Sequence, residues 1–142
     1  MAAARNLEVK LDSTLDSVDV AEDVVSRFAS EQGFAEDEVH QIGMAVREGM
    51  INAVVHGNCY NAQKKVSVAM AMDNNRLVIR VQDQGAGFDP DEIPDPLANE
   101  NLLRHSGRGL LLMQAFMDEF TIRPRQPRGT EVRMVKYAGK TS

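Results

Sequence analysis

Hydrophobic positions along this chain change period several times, and each change marks an element. Across Asn6 to Ser13, Leu7, Val9 and Leu11 alternate with Glu8, Lys10 and Asp12, the two-residue period of a first or edge strand with one wet face. From Leu15 to Gln32 the spacing lengthens. Leu15, Val18, Val24, Val25 and Phe28 share one side of a helix with Asp16 and Asp19 near its start and Gly33 after its end. A second helix is predicted over Val39 to Asn58, with Val39, Ile42, Val46, Met50 and Ala53 as its core stripe and Gly57-Asn58 as left-handed closing residues. Lys65 to Met72 and Arg76 to Asp83 return to the strand period, and Asp73-Asn74-Asn75 between them predicts an antiparallel hairpin. Asp89 to Ser106 carries three prolines and an acidic excess and reads as a mobile loop. Gly107-Arg108-Gly109 then opens an apolar helix from Leu110 to Met117, and Glu119 to Arg123 and Thr130 to Lys136 are the last two strands. Without an internal repeat or a linker, the expectation is one domain over 1–142. It is a two-layer α/β sandwich of the α+β kind, with a mixed, mainly antiparallel sheet and its helices on one face.

The second helix breaks its own pattern. Glu48 and Asn52, four apart, stack opposite the core stripe, yet Met44, Ile51 and Val55 flank them. A helix apolar almost all round is covered on both sides, where an unpaired polar group costs about 2–7 kcal/mol. Something polar is therefore expected to bind there. Gly43 and Gly49 inside the same helix each cost about 1 kcal/mol relative to alanine. Close approach of sheet or ligand would explain them, and so would simple tolerance.

Composition narrows the classes. A 142-residue chain, 43% hydrophobic and 26% charged, is long enough for a proper core. A net charge of −5 argues against a nucleic-acid surface, although Arg123, Arg125, Arg128 and Arg133 gather near the end. One cysteine, Cys59, excludes an internal disulfide and suits a reducing cytoplasm. Met1 to Arg5 leads into polar sequence with no secretory apolar region, and no apolar run could span a membrane. His40, His56 and His105 are scattered, so no metal-ligand cluster is expected, and His56 alone reads as a structural histidine near a helix end.

Three pieces need a common explanation: Glu48 with Asn52, Asp83-x-Gly85-x-Gly87 after a strand, and Gly107-x-Gly109 at a helix start. Together they suggest a nucleotide. A carboxylate at a strand end accepts from the exocyclic amine of adenine, where guanine offers only an oxygen. Gly85 and Gly87 remove side chains where backbone turns against a ligand, and the helix opening at Gly107 offers amides to phosphate. Neither common glycine-rich nucleotide fingerprint occurs. Phosphates call for Mg²⁺, for which the Asn52 amide oxygen is a suitable ligand, and Glu48 one turn earlier stands where a base would take a proton from an attacking hydroxyl. Arg108 within the glycine pair is the better phosphate candidate beside Arg104.

At these residues the chain resembles the bacterial anti-sigma-factor serine kinases of the GHKL ATPase superfamily, which also holds gyrase and the histidine kinases. Glu48-Gly-Met-Ile-Asn52-Ala53-Val-Val-His56-Gly57 is similar to the first superfamily motif, and Asp83-Gln-Gly85-Ala-Gly87-Phe88 to the adenine-binding motif. Ser106-Gly107-Arg108-Gly109-Leu110 resembles the phosphate-binding motif, and Gly129-Thr130 the position from which a threonine completes the adenine pocket. The resemblance implies Glu48 as catalytic base and Asn52 as magnesium ligand. It implies His56, Asp83, Gly85, Gly87, Phe88, Arg104, Gly107, Arg108, Gly109, Leu110 and Thr130 around ATP, with a lid over about 89–106. It also implies a homodimer whose partners are a sigma factor and a phosphorylated antagonist of the STAS type. An ATP-gated binding module without phosphotransfer stays open beside it, as does a histidine-kinase-like ATPase domain. The last fits less well, because those kinases usually carry Asn where Glu48 stands.

Overall fold

A computed structural model describes residues 6–85 and 109–138. In chain order these form β1 (Asn6–Asp12), α1 (Leu15–Glu31), α2 (Glu36–Ile51) running on into a π-helical turn (Asn52–Gly57), β2 (Lys65–Asp73), β3 (Arg76–Gln82), α3 (Gly109–Phe116), β4 (Glu119–Pro124) and β5 (Thr130–Tyr137). Five strands make one sheet in the order β1-β2-β3-β5-β4, and every ladder is antiparallel. The expected hairpin is present. Asn74 and Asn75, both at positive φ (51° and 64°), bridge Asp73 and Arg76 in the twist that a two-residue hairpin favours.

Strand periodicity explains the layers. Val66, Val68 and Met70 of β2, Leu77, Ile79 and Val81 of β3, and Val132 and Met134 of β5 turn to one side. There they join Val18, Val25 and Phe28 of α1, Ile42, Val46 and Met50 of α2, and Met113 of α3 in a single core. Full burial of such a side chain contributes roughly 1.5–3 kcal/mol each. The helices thus share one face, as the sequence pattern predicts. The opposite face is largely polar around a buried Val78–Val135 pair: Glu119 accepts from Tyr137 Oη at 2.5 Å and lies near Arg133 (3.5 Å) and Arg76 (3.8 Å).

Helix boundaries follow capping chemistry more than hydrophobic period. Thr14, absent from the sequence reading, caps α1 by accepting from the Ser17 amide, and Gly33 at φ +97° follows its end. The second helix begins at Glu36 rather than Val39. Its first turn is acidic (Glu36, Asp37, Glu38), which favours the positive end of the helix dipole, and Glu38 accepts from the Ala35 amide at 3.1 Å. Apolar spacing could not reveal those polar residues as helical. Arg47 of α2 then reaches back to Asp19 (2.7 Å) and Glu22 (2.9 Å) of α1.

Candidate functional site

The core stripe of α2 holds: Ile42, Val46, Met50 and Ala53 are buried, and Val39 partly so. Of its two glycines only Gly43 has a close neighbour, and that is the protein's own; Gly49 has room for a Cβ. A Cβ on Gly43 would come 2.9 Å from Ser26 Oγ of α1, whereas one on Gly49 would meet Met113, Met134 and Val81 at an ordinary 3.5–3.6 Å. Glu48 and Asn52 keep their one-turn stacking, since the Asn52 amide still donates to the Glu48 carbonyl. Both are half-buried, between the apolar Met44, Ile51 and Val55, which are half-buried too. No hydrogen bond joins either side chain to another described residue.

At Asn52 the helix widens. The six residues Asn52–Gly57 form a π turn, with the Asn58 amide donating to Ala53 at 2.8 Å. Such insertions recur at functional sites, and this one defeats a 100° projection for the residues of the turn itself. His56 ends up exposed on the turn. The expected left-handed closure at Gly57-Asn58 is not what forms: Asn58 is right-handed (φ −82°), and the positive φ values fall on Cys59 (51°) and Tyr60 (60°). Asn58 has another task, because its side chain is buried and points inward.

Asp83 is the centre of the candidate site. It leaves the end of β3 only 5% exposed, and its Oδ1 accepts from the Gly85 amide at 2.9 Å and the Thr130 amide at 3.1 Å. Backbone exchange with Thr130 (Asp83 amide to Thr130 carbonyl, 3.0 Å) and the Arg125 guanidinium on the Asp83 carbonyl (2.6 Å) fix the peptide on both sides. Burial pushes the Asp83 carboxyl above its ordinary value, and the two backbone donors offset that only in part. Three glycines close around it. A Cβ on Gly57 would run into Asp83 Oδ2, one on Gly85 into the Gly57 carbonyl, and one on Gly129 (φ +103°) into the Asp83 carbonyl. The close approach that requires Gly85 is therefore of the chain's own backbone. With both described donors on Oδ1, Oδ2 is the oxygen left over Gly57 for a further donor.

The structure thus brings Gly57 of the first motif, Asp83, Gly85 and Gly129-Thr130 onto one carboxylate, at the end of the helix that carries Glu48 and Asn52. Gly109 is buried and opens α3, followed by Leu110. Gly87, Phe88, Arg104, Gly107 and Arg108, and the expected lid over 89–106, lie outside the described residues.

Residues 11–136 match the family described as the histidine kinase-like ATPase domain. The chain belongs to this family. Among curated members, it is 32% identical over 139 residues to a serine-protein kinase RsbW of Bacillus velezensis, covering 92% of this chain and 84% of that protein. It is 31% identical over 135 residues, 94% of each chain, to an anti-sigma F factor of a Thermoanaerobacter species. Of solved structures, the RsbU and RsbW domains of a Mycobacterium tuberculosis protein superpose with a TM-score of 0.69 at 20% identity, over 94% of this chain and 32% of that one. The SiaB–SiaC complex of Pseudomonas aeruginosa gives 0.63 at 14%, over 91% and 88%. These two likenesses carry the fold. The family uses ATP, and no helix among the described residues is long and apolar enough to cross a membrane.

Sequence reasoning missed Asn58, Gln84 and Arg125. An asparagine after a helical glycine reads as a cap, and an arginine near a turn as a solvated charge. Neither has a periodic signature.

Proposed function

We propose that the chain is an ATP-dependent serine-protein kinase acting as an anti-sigma regulator. It binds ATP with Mg²⁺, passes the γ-phosphate to a serine of an antagonist protein, and holds a sigma factor. Curated relatives named serine-protein kinase and anti-sigma F factor, 31–32% identical over most of both chains, support this reading. The observation that carries it is the convergence of separate motif stretches on buried Asp83, whose Oδ1 takes both described backbone donors; in this reading its Oδ2 accepts from the adenine amine.

Asn52 suits Mg²⁺. Among the described residues no group of three or more His, Cys, Asp or Glu could hold a metal, which fits an ion that keeps several waters and would be held by few protein oxygens beside the phosphates. The half-buried Asn52 amide oxygen would hold the ion, which would supply charge neutralisation at the phosphates. Gly109 and Leu110 lie at the first turn of α3, whose free amides suit phosphate oxygens. Gly87, Phe88, Arg104, Gly107, Arg108 and His56 complete the nucleotide contacts in this reading.

In the transfer, a partner serine Oγ bonds to the γ-phosphorus while the bond to the β–γ bridging oxygen breaks, and the hydroxyl proton passes to the Glu48 carboxylate. A cytoplasmic homodimer completes the proposal, and the largely exposed edge strand β1 offers one surface for it. The test is Glu48→Gln, which keeps the side chain's size and removes its basic oxygen. Calorimetry should find ATP bound as by the wild type, while phosphotransfer from labelled Mg-ATP to antagonist proteins recovered by pull-down falls about 10²- to 10⁴-fold. A wild-type transfer rate would leave an ATP-gated binding module as the better reading.

A further inference from the structure

Asn58 is 1% exposed, and its carboxamide is engaged at both ends. Oδ1 accepts from the Gln84 amide at 2.7 Å, while Nδ2 donates to Ser13 Oγ at 2.8 Å and to the Lys65 carbonyl at 3.0 Å. The neighbours fix which end is which, because a backbone amide only donates and a carbonyl only accepts. The Ser13 hydroxyl donates in turn to the Lys64 carbonyl at 2.7 Å. Aspartate would keep the acceptor but lose both donors. Alanine would leave the Gln84 amide without its partner.

What these bonds join matters more than their number. Asn58 directly follows the π turn that begins at Asn52, and Gln84 lies between Asp83 and the Gly85 amide that Asp83 accepts. Gln84 is tied a second time, its Oε1 accepting from the Lys65 amide at 2.7 Å. One buried side chain therefore links the end of the Glu48–Asn52 helix to the corner that carries the adenine-facing carboxylate, and anchors both to the starts of α1 and β2.

We propose that Asn58 is a positioning residue for the nucleotide site, setting the spacing between the Asn52 turn and the Asp83–Gly85 corner through its bond to the Gln84 amide. The inference rests on the reading of Asp83 as the adenine acceptor. It separates from a purely structural role because Ser13 shares the same network without touching Gln84.

The experiment compares Asn58→Ala, Ser13→Ala and Asp83→Asn in the full chain, by calorimetric titration with Mg-ATP, thermal unfolding and amide hydrogen exchange at Gln84. Asn58→Ala should speed exchange at Gln84 and weaken ATP binding about tenfold, the effect of one buried donor losing its acceptor. Ser13→Ala should lower the melting temperature while leaving ATP affinity within about twofold of wild type. Should Asn58→Ala fail to fold, Asn58→Asp takes its place. Its carboxylate still accepts from Gln84, so protection there and ATP affinity should both persist while stability drops. Asn58→Ala with wild-type affinity, Ser13→Ala weakened as much as Asn58→Ala, or Asn58→Asp weakened as much as Asp83→Asn would overturn the proposal. If Asp83→Asn itself binds ATP normally, the adenine reading fails first and the inference with it.

Discussion

Replacing Asp83 by asparagine should move stability and ligand affinity in opposite directions. In the free protein Oδ1 accepts two backbone amides at 2.9 and 3.1 Å, and an asparagine oxygen can accept both. The variant loses no described hydrogen bond and sheds a buried charge, so its stability at neutral pH should equal or exceed that of the wild type. Binding is different. The amide nitrogen replaces Oδ2 and turns a donor toward the adenine amine, also a donor. Losing a hydrogen bond to a charged acceptor costs about 1.5–3 kcal/mol, which corresponds to a dissociation constant about 10- to 150-fold higher.

The pH dependence checks the same physics. Burial raises the Asp83 carboxyl above its ordinary value, so the folded state favours the neutral form. A carboxyl raised in this way contributes stability that is present at acid pH and lost as pH rises through its elevated value. The stability advantage of Asp83→Asn should therefore be largest at neutral pH and shrink as pH falls toward and below that value. Denaturant unfolding at a series of pH values, with calorimetry of ATP binding, measures both. A variant that is clearly less stable than wild type at pH 7, or that binds ATP unchanged, would refute the reasoning.

The remaining predictions concern backbone approach and assembly. Gly129→Ala puts a Cβ against the Asp83 carbonyl at φ +103°, so it should destabilise the fold by at least about 1–3 kcal/mol in denaturant unfolding; a change under about 0.5 kcal/mol would contradict the close approach. Light scattering should find a dimer, and a monomer at high micromolar concentration with and without nucleotide would remove the homodimer from the proposal.

The periodic parts of the fold are legible in the sequence, because burial on one face leaves a mark at every second or every third to fourth residue. The strands from Lys65 and Arg76, their two-asparagine turn and the Ile42–Val46–Met50 stripe are all of this kind. Helix starts are less legible: Thr14 and the acidic turn from Glu36 act through capping and dipole, which leave no period. In the site, Asp83 is detectable as a carboxylate amid glycines at a strand end. Its supports are not. Gly57 and Arg125 reach it, and Asn58 its neighbour Gln84, from elsewhere in the chain, and the π turn at Asn52 changes which way the residues up to Gly57 face.

The strand order β1-β2-β3-β5-β4 has a consequence for how the chain comes together. Two of its four ladders, β2–β3 and β4–β5, join neighbours in sequence, and β2–β3 closes across Asn74 and Asn75 alone. The other two join distant segments, with Asp12 opposite Lys65 and Gln82 opposite Glu131. Closing a long loop costs chain entropy before its contacts return anything, so the local hairpins can form early while the long-range pairings set the folding rate. Asp83 leaves the sheet one residue beyond Gln82, and its partner Thr130 precedes Glu131, so the carboxylate's surroundings are assembled at the slow seam between the two hairpins.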